Sequence, residues 1–442
     1  MRAVMWFRRD LRLRDNPALL AALAAADEVV PLFVLDGALW NPAGANRKAF
    51  LAGCLRELDN ALGGHLVVRH GPPERVVPTL AREVEASGVF AAEDFGPYGR
   101  ARDERVAAHV DLLLTGTPYA IEPGEIRNRA GAPYQVFTPF FRAWRDHGWP
   151  DPLAPPADPR WVTGVHSDGI PDSPPPTAKW LPEPGEDAAR AAANRFWRAG
   201  LASYDADRDT PAADGSSRLS PYLKWGCLHP RQLLAKLGAS AAEQRFRTEL
   251  CWREFYADVL FHDPASARRS WNRAMATLQT DTGAAAAERF EAWAEGRTGF
   301  PFVDAGMRQL LAEGWMHNRA RMVTASFLVK DLHLDWQRGA RWFLNHLVDG
   351  DLASNNHGWQ WVAGTGTDAS PYVRVFNPVS QSIRFDPAGD YIRRYVPELA
   401  ELDSRAIHKP WELPGGPPQG YPKPIVDHGA ERAEALRRFH AR

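Results

Sequence analysis

Gly314-Trp315-Met316-His317-Asn318-Arg319, Asp349-Gly350-Asp351-Leu352-Ala353-Ser354-Asn355-Asn356 and Trp359-Gln360-Trp361 all fall within one run, Gly314 to Pro378, of otherwise apolar, helix-like sequence. Periodic apolar positions argue for helices, and the polar residues set among them need a reason to be there. Wide aromatic faces beside fixed cations and amides suit a large planar cofactor and a stacked base. A second cluster, Trp252-Arg253-Glu254-Phe255-Tyr256, has the same character.

Outward from these clusters the pattern stays helical: Asp187–Ala199, Arg231–Leu237, Ala241–Phe261, Phe302–Glu313, Asn318–Leu332 and Ala340–Leu347. The first third of the chain differs. Ala3–Phe7, Val29–Leu35, Leu66–Arg69 and Val89–Ala92 are short apolar runs separated by helix-like stretches, one opened by Asn16-Pro17 as N-cap and N1. Alternation of this kind predicts a parallel sheet covered on both faces. No GxGxxG follows the first strand, so the usual dinucleotide fingerprint is absent. From about 150 to 184, Pro155-Pro156, Pro174-Pro175-Pro176 and Pro182–Pro184 exclude regular helix. The expected organisation is an α/β Rossmann-like domain over 1–128, a connector over 129–187 and an all-helical domain over 188–442.

At 442 residues the chain is too long for one ordinary core. Its 17 tryptophans are about three times the usual complement, which points to stacking or electron-transfer work beyond packing. With 53 basic and 54 acidic residues the net charge is −1, so any nucleic-acid surface must be a local one. Cys54, Cys227 and Cys251 form no CxxC pair, which argues against a zinc site or a disulfide framework and fits a reducing cytoplasm. Arg8 interrupts the apolar N-terminus too early for a signal peptide, and no uncharged stretch reaches membrane-spanning length. A soluble cytoplasmic protein of bacterial type is expected.

Taken together, the tryptophan-rich motifs resemble the FAD-binding domain of the DNA photolyase/cryptochrome family, closest to class I cyclobutane pyrimidine dimer (CPD) photolyases. The resemblance covers nearly the whole chain. It implies FAD as cofactor, UV-damaged DNA as partner, and a monomer, because the DNA face must stay open. It also implies how the dimer is split. Excited FADH⁻ gives an electron to a flipped-out dimer and receives it back. The alternative is a blue-light sensor with the same flavin and no repair; a nucleotide-binding protein on the Rossmann-like half lacks any P-loop, GxSxG or HExxH.

Specific residues inherit roles from the resemblance. Gly215-Ser216-Ser217-Arg218-Leu219-Ser220-Pro221 would cradle the FAD phosphates, a task suited to backbone N–H groups before a helix, and Tyr204 would also contact the cofactor. On one helix face, spaced by three and four, Glu249 would hydrogen-bond the dimer, Trp252 would stack on it, and Arg253 would lie near the flavin. Asn318 would touch cofactor and substrate, Arg321 the cofactor, Met322 the dimer and Arg319 the DNA. Members acting on (6-4) lesions carry histidine in place of this asparagine, so Asn318 favours CPDs.

Asp349 and Asp351 would accept hydrogen bonds from the flavin, with Asn355 facing its N5; plant cryptochromes typically carry aspartate there. By spacing alone the two aspartates could be read as a metal pair, but further ligands are lacking and no metal is expected. Trp361 would form the second wall of the lesion pocket, and Arg374 and Arg208 would contact phosphate. Trp359 and Trp336 would be the inner members of an electron relay whose outer member should fall between Met275 and Glu288, a stretch with no tryptophan. Either Trp293, Trp271 or a tyrosine would then substitute, or the relay would be shortened. His357 is expected to be a surface histidine. Asp94-Phe95-Gly96-Pro97-Tyr98-Gly99-Arg100 resembles members with an 8-hydroxy-deazaflavin antenna, contacted by Asp36, Arg47 and Asp94; methenyltetrahydrofolate is the alternative pigment.

Overall fold

The apolar run after Arg2 forms β1 (Arg2–Phe7), buried from Ala3 onward. Asn16 then starts α1 (Pro17–Ala25), its side-chain oxygen accepting from the Leu19 amide at 3.2 Å. The chain continues as β2 (Glu28–Leu35), α2 (Ala45–Ala61), β3 (Val67–His70), α3 (Pro73–Glu83), β4 (Ala86–Ala91), α4 (Pro97–Ala107) and β5 (Leu112–Leu114). The computed structural model describes residues 1–368 and 374–441. Every strand pairing is parallel and the sheet order is β3-β2-β1-β4-β5. The predicted parallel sheet is therefore present, with one strand more than the apolar runs announce. At three residues β5 is short, and two of its leucines are exposed at the sheet edge, so it carries no periodic signal.

Packing divides the chain into two compact units. The first holds the sheet together with α5 (Phe137–His147), α6 (Glu186–Ala199), α7 (Ser220–Trp225) and α8 (Ala241–His262). Composition groups α8 with residues 188–442, but its polar side chains serve the sheet unit. Buried Glu254 accepts from the Ala120 and Ile121 amides and from the Trp144 indole at 2.5, 3.2 and 2.8 Å. Asp258 accepts from the Gly124 amide at 2.7 Å. Between 150 and 184 the described backbone forms no helix, as the prolines predict, and pairs with β2 only through a bridge between Trp161 and Val29.

The second unit comprises Thr177–Leu181, Gly200–Ser216 and Ala265–Arg442. Its main helices are α9 (Ala284–Ala294), α10 (Pro301–Glu313), α11 (Asn318–Ser326), α12 (Trp336–His346), α13 (Leu352–Ala363), α14 (Pro378–Phe385), α15 (Asp390–Tyr395) and α16 (His428–His440). Their core is aromatic, with Trp293, Phe302, Phe327, Phe343, Trp359 and Tyr391 among its members. One helix is predicted over 318–332. Instead α11 passes into a π-helical turn at Phe327–Asp331, which lets the buried polar side chains of Lys330 and Asp331 reach the Arg374 carbonyl and His428.

Among the described residues no helix is long and apolar enough to cross a membrane, and no cluster of His, Cys, Asp or Glu could hold a metal ion.

Candidate functional site

In the first unit the helix α8 begins with a reciprocal capping box between Ser240 and Glu243. Further along, it presents half-buried Glu249, Trp252, Arg253 and Tyr256. The Trp252 indole is parallel to the Phe137 ring, with centroids 3.6 Å apart and planes within 6°. One indole face is thus fixed by α5, and stacking on a ligand falls to the other. Phe137 carries no motif in the sequence; it lies 115 residues upstream, and only the fold brings it here. Arg253 is engaged by groups of its own unit. Its guanidinium donates to the Pro118 and Leu223 carbonyls at 2.9 and 3.2 Å and lies 4.5 Å over the Tyr119 ring. It anchors α8 within its own unit. The Ser217 hydroxyl oxygen accepts from the Leu219 amide at 3.4 Å. Leu219 then starts α7 without a side-chain cap, and Ser220 opens the helix, followed by Pro221, which has no N–H to leave unsatisfied. Arg218 holds a positive φ of 50° in this turn.

The second unit gathers more. His317 caps α11 through Nδ1, which accepts from the Arg319 amide at 3.1 Å. Burial pushes this imidazole down to about 4, so it is neutral, as an acceptor must be. Arg321 donates to the Met316 carbonyl at 2.7 Å and to Asp349 Oδ2 at 2.9 Å. Arg319 pairs with Asp209 at 2.9 Å and covers the Phe385 ring at 4.1 Å. Burial pushes the Asp209 carboxyl up, but the charges of Arg319 and Arg208 outweigh it and hold the group below the usual carboxylate range. Arg319, read as a DNA contact, is therefore largely neutralised inside the unit. Asn318 is exposed, with its amide nitrogen 3.9 Å from Met322 Sδ one turn on. Arg374 is exposed too. Tyr204 is buried, with the Arg208 guanidinium 5.8 Å from its ring centre.

Asp351 caps α13 by accepting from the Ser354 amide at 3.0 Å. One turn later the Asn355 amide nitrogen donates to the Ala340 carbonyl and to Asn356 Oδ1, at 3.1 and 2.9 Å. Its donor capacity is used within the protein, so towards any ligand Asn355 offers its carbonyl oxygen. Two buried oxygens here have no partner: Ser216 Oγ and Asp349 Oδ1. Leaving such a group unsatisfied costs about 1–3 kcal/mol, and a cofactor with phosphate oxygens and N–H or hydroxyl donors would satisfy both. The residues present fit FAD.

Residues 246–441 match the family model described as the FAD binding domain of DNA photolyase, and residues 3–159 match that described as DNA photolyase. The chain belongs to the DNA photolyase family. It is 43% identical to a deoxyribodipyrimidine photo-lyase of Streptomyces griseus, over 98% of this chain and 97% of that one. Among solved structures it is similar to a bacterial class III photolyase from Agrobacterium tumefaciens, with TM-score 0.93 and 38% identity over 99% and 97% of the two chains. A cryptochrome from Synechocystis is similar at TM-score 0.90 and 27% identity, over 98% of each.

The two tryptophans expected to form an electron relay, Trp336 and Trp359, are in the second unit. Trp336 is buried and donates its indole N–H to Ser270 Oγ at 3.3 Å. Trp359 is buried with its N–H unpartnered, as is the N–H of half-buried Trp361. A Cβ on Gly339 would fall 2.2 Å from the Trp359 ring, so α12 reaches α13 only because residue 339 is glycine. Trp293 lies edge-on to Trp359 with centroids 6.0 Å apart, whereas Trp271 is half-buried, its backbone amide held by Gln360 at 2.7 Å. His357 corrects an expectation: it is buried, between Ser266 Oγ at 3.0 Å and the Ala353 carbonyl at 2.8 Å. A polar side chain in a helix reads as surface in one dimension; here a serine 91 residues away satisfies it.

In the sheet unit the antenna candidates are mostly engaged. Asp36 accepts from the Tyr98 hydroxyl and the Ala38 amide. Asp94 meets Arg102 at 3.3 Å and the Gly96 amide at 3.1 Å, and Gly99 admits it so closely that a Cβ there would clash at 2.2 Å. Arg8, Arg102 and Asp103 complete this buried ion network beside Trp6. Arg47 alone of the three has an unpartnered buried nitrogen, Nε.

Proposed function

We propose that the chain is a light-driven DNA repair enzyme that splits cyclobutane pyrimidine dimers with FAD. What carries the reading is the pair of buried, unpartnered oxygens, Ser216 Oγ and Asp349 Oδ1, in a chain of the photolyase family. Tyr204, Ser216, Ser217, Arg218, Leu219, Ser220, Arg321, Asp349, Asp351 and Asn355 would hold the cofactor. Bound and fully reduced, FAD supplies under light the one electron that opens the dimer and takes it back afterwards.

The protein's own residues do the rest. Asp349, paired with Arg321, keeps one carboxylate oxygen for an N–H of the ligand. Asn355, its nitrogen committed, accepts rather than donates, which suits a protonated ring nitrogen of the reduced flavin. Extrusion of a base costs a few kcal/mol and less for a damaged, poorly stacked one. Aromatic stacking of about 1–3 kcal/mol per base on Trp252 and Trp361 offsets much of that. Glu249, Asn318 and Met322 would contact the dimer, and Arg208, Arg319 and Arg374 the phosphates; Asp209 offsets part of the charge of both Arg319 and Arg208. Arg253 acts by fixing α8. The antenna would be 8-hydroxy-deazaflavin, with Arg47 as its charged contact and Asp36 and Asp94 as parts of the surrounding frame. The enzyme would act as a monomer.

Side-by-side illumination of oligonucleotides carrying a CPD or a (6-4) photoproduct tests this. Restoration of the CPD alone is expected. Repair of the (6-4) lesion would reverse the reading of Asn318, and bound flavin with neither repaired would make the chain a sensor.

A further inference from the structure

The segment expected to carry the relay onward from Trp336, 275–288, holds no aromatic residue. Rings do continue in another direction. Trp293, on α9, lies edge-on to Trp359 with centroids 6.0 Å apart, and Phe343 touches both indoles. Phe290, one turn before Trp293, is 5.6 Å from it and 5.8 Å from Trp342 of α12. The ring contacts thus run unbroken from Trp359 through Trp293 and Phe290 to Trp342, all within the second unit.

Each member's surroundings fit a different task. Trp293 is fully buried and donates its indole N–H to the Thr324 carbonyl at 3.0 Å. A carbonyl acceptor favours a positive charge on the ring that donates to it, whereas Trp336 donates only to a serine hydroxyl at 3.3 Å. Phe290 has the least easily oxidised ring of the set and lies 3.9 Å under the Arg338 guanidinium. No electron vacancy rests there, so Phe290 serves as a bridge. Trp342 is half-buried with its indole nitrogen buried and without an acceptor, so it meets solvent through its carbon edge. The His346 ring lies 4.2 Å from it, and burial pushes that imidazole down, so it stays neutral beside Trp342.

We propose that Trp342 is the solvent-facing exit of the electron relay, in place of the outer tryptophan missing from 275–288. The inference rests on the relay reading of Trp359. Trp336 and Trp293 compete for the vacancy, and only Trp293 passes it on. One electron moves from Trp342, across Phe290, to the oxidised Trp293, which returns to its closed-shell state. Trp342 becomes a radical cation that keeps its N–H proton. A thiolate in solvent then gives it one electron and leaves as a thiyl radical.

Flash photolysis of the FAD-loaded oxidised protein, with cysteine as the thiol, reads the tryptophan radical directly. A long-lived radical is expected in the unsubstituted protein, with a decay that quickens as cysteine is added. Trp342→Phe should abolish it and leave only fast recombination. Trp342→Tyr should restore a long-lived radical with a tyrosyl spectrum, the phenol proton passing to water. A long-lived radical unchanged in Trp342→Phe would overturn the proposal and leave the relay reading standing. So would a loss in Trp342→Phe that Trp342→Tyr does not reverse, since that is the mark of a packing role. No tryptophan radical in the unsubstituted protein would refute the relay reading and the exit together.

Discussion

Ser216 shows how little of the site a residue's identity reveals and how much its surroundings add. A serine before a helix is ordinary; a buried serine oxygen with no partner is not. Ser216→Ala should weaken FAD retention by about 1 kcal/mol, roughly 5-fold in Kd, measured by equilibrium dialysis. Unchanged retention would take Ser216 out of the phosphate turn. Glu249→Ala should lower repair while leaving FAD bound, and loss of flavin instead would mean that Glu249 serves the cofactor. The residues of the candidate site were legible as types, because tryptophan, arginine and asparagine stand out in an apolar run. Their partners were not. Arg319 meets Asp209 across 110 positions, Arg253 meets Pro118 across 135, and Trp252 rests on Phe137. Those pairings give Arg319, Arg253 and Trp252 partners within the protein, and only tertiary packing sets them.

At the scale of elements, signals with a local cause were readable. The Asn16 cap and the proline-rich connector are where their chemistry predicts them. β5 and the π-helical turn after α11 were not readable, since an exposed three-residue edge and a buried lysine obey the demands of neighbours rather than a period. The α12–α13 contact is of the same kind: Gly339 has no local role, yet it admits the Trp359 ring. Gly339→Ala should destabilise the protein by about 1–3 kcal/mol through overpacking, seen as a lower Tm. An unchanged Tm would mean that the helices can separate at no cost. Trp336→Phe should slow photoreduction of the flavin and spare repair by chemically reduced enzyme. Undiminished photoreduction would shift the relay to Trp293, which already abuts Trp359.

For the whole molecule, two buried imidazoles set an acid limit, one in each unit. His229 accepts from the Arg231 amide and His317 from the Arg319 amide, and burial pushes both down to about 4. The folded state holds them neutral, while in the unfolded chain they protonate near 6.5. Their contribution is therefore complete above about pH 6.5 and is lost as pH falls towards 4. The urea midpoint should drop between pH 7 and pH 5. The drop should be smaller in His317→Asn, where a non-titrating side chain can still cap α11; an equal drop would clear His317 of that role.

The central claim is that light drives repair with no net consumption of electrons. Its most direct measurement is a count of thymine dimers restored per molecule of chemically reduced protein, with excess dimer oligonucleotide and no added reductant, in blue light and in darkness. Many restorations per molecule in light and none in darkness are predicted. Equal yields in darkness, or a yield in light that stops at one per molecule, would contradict it.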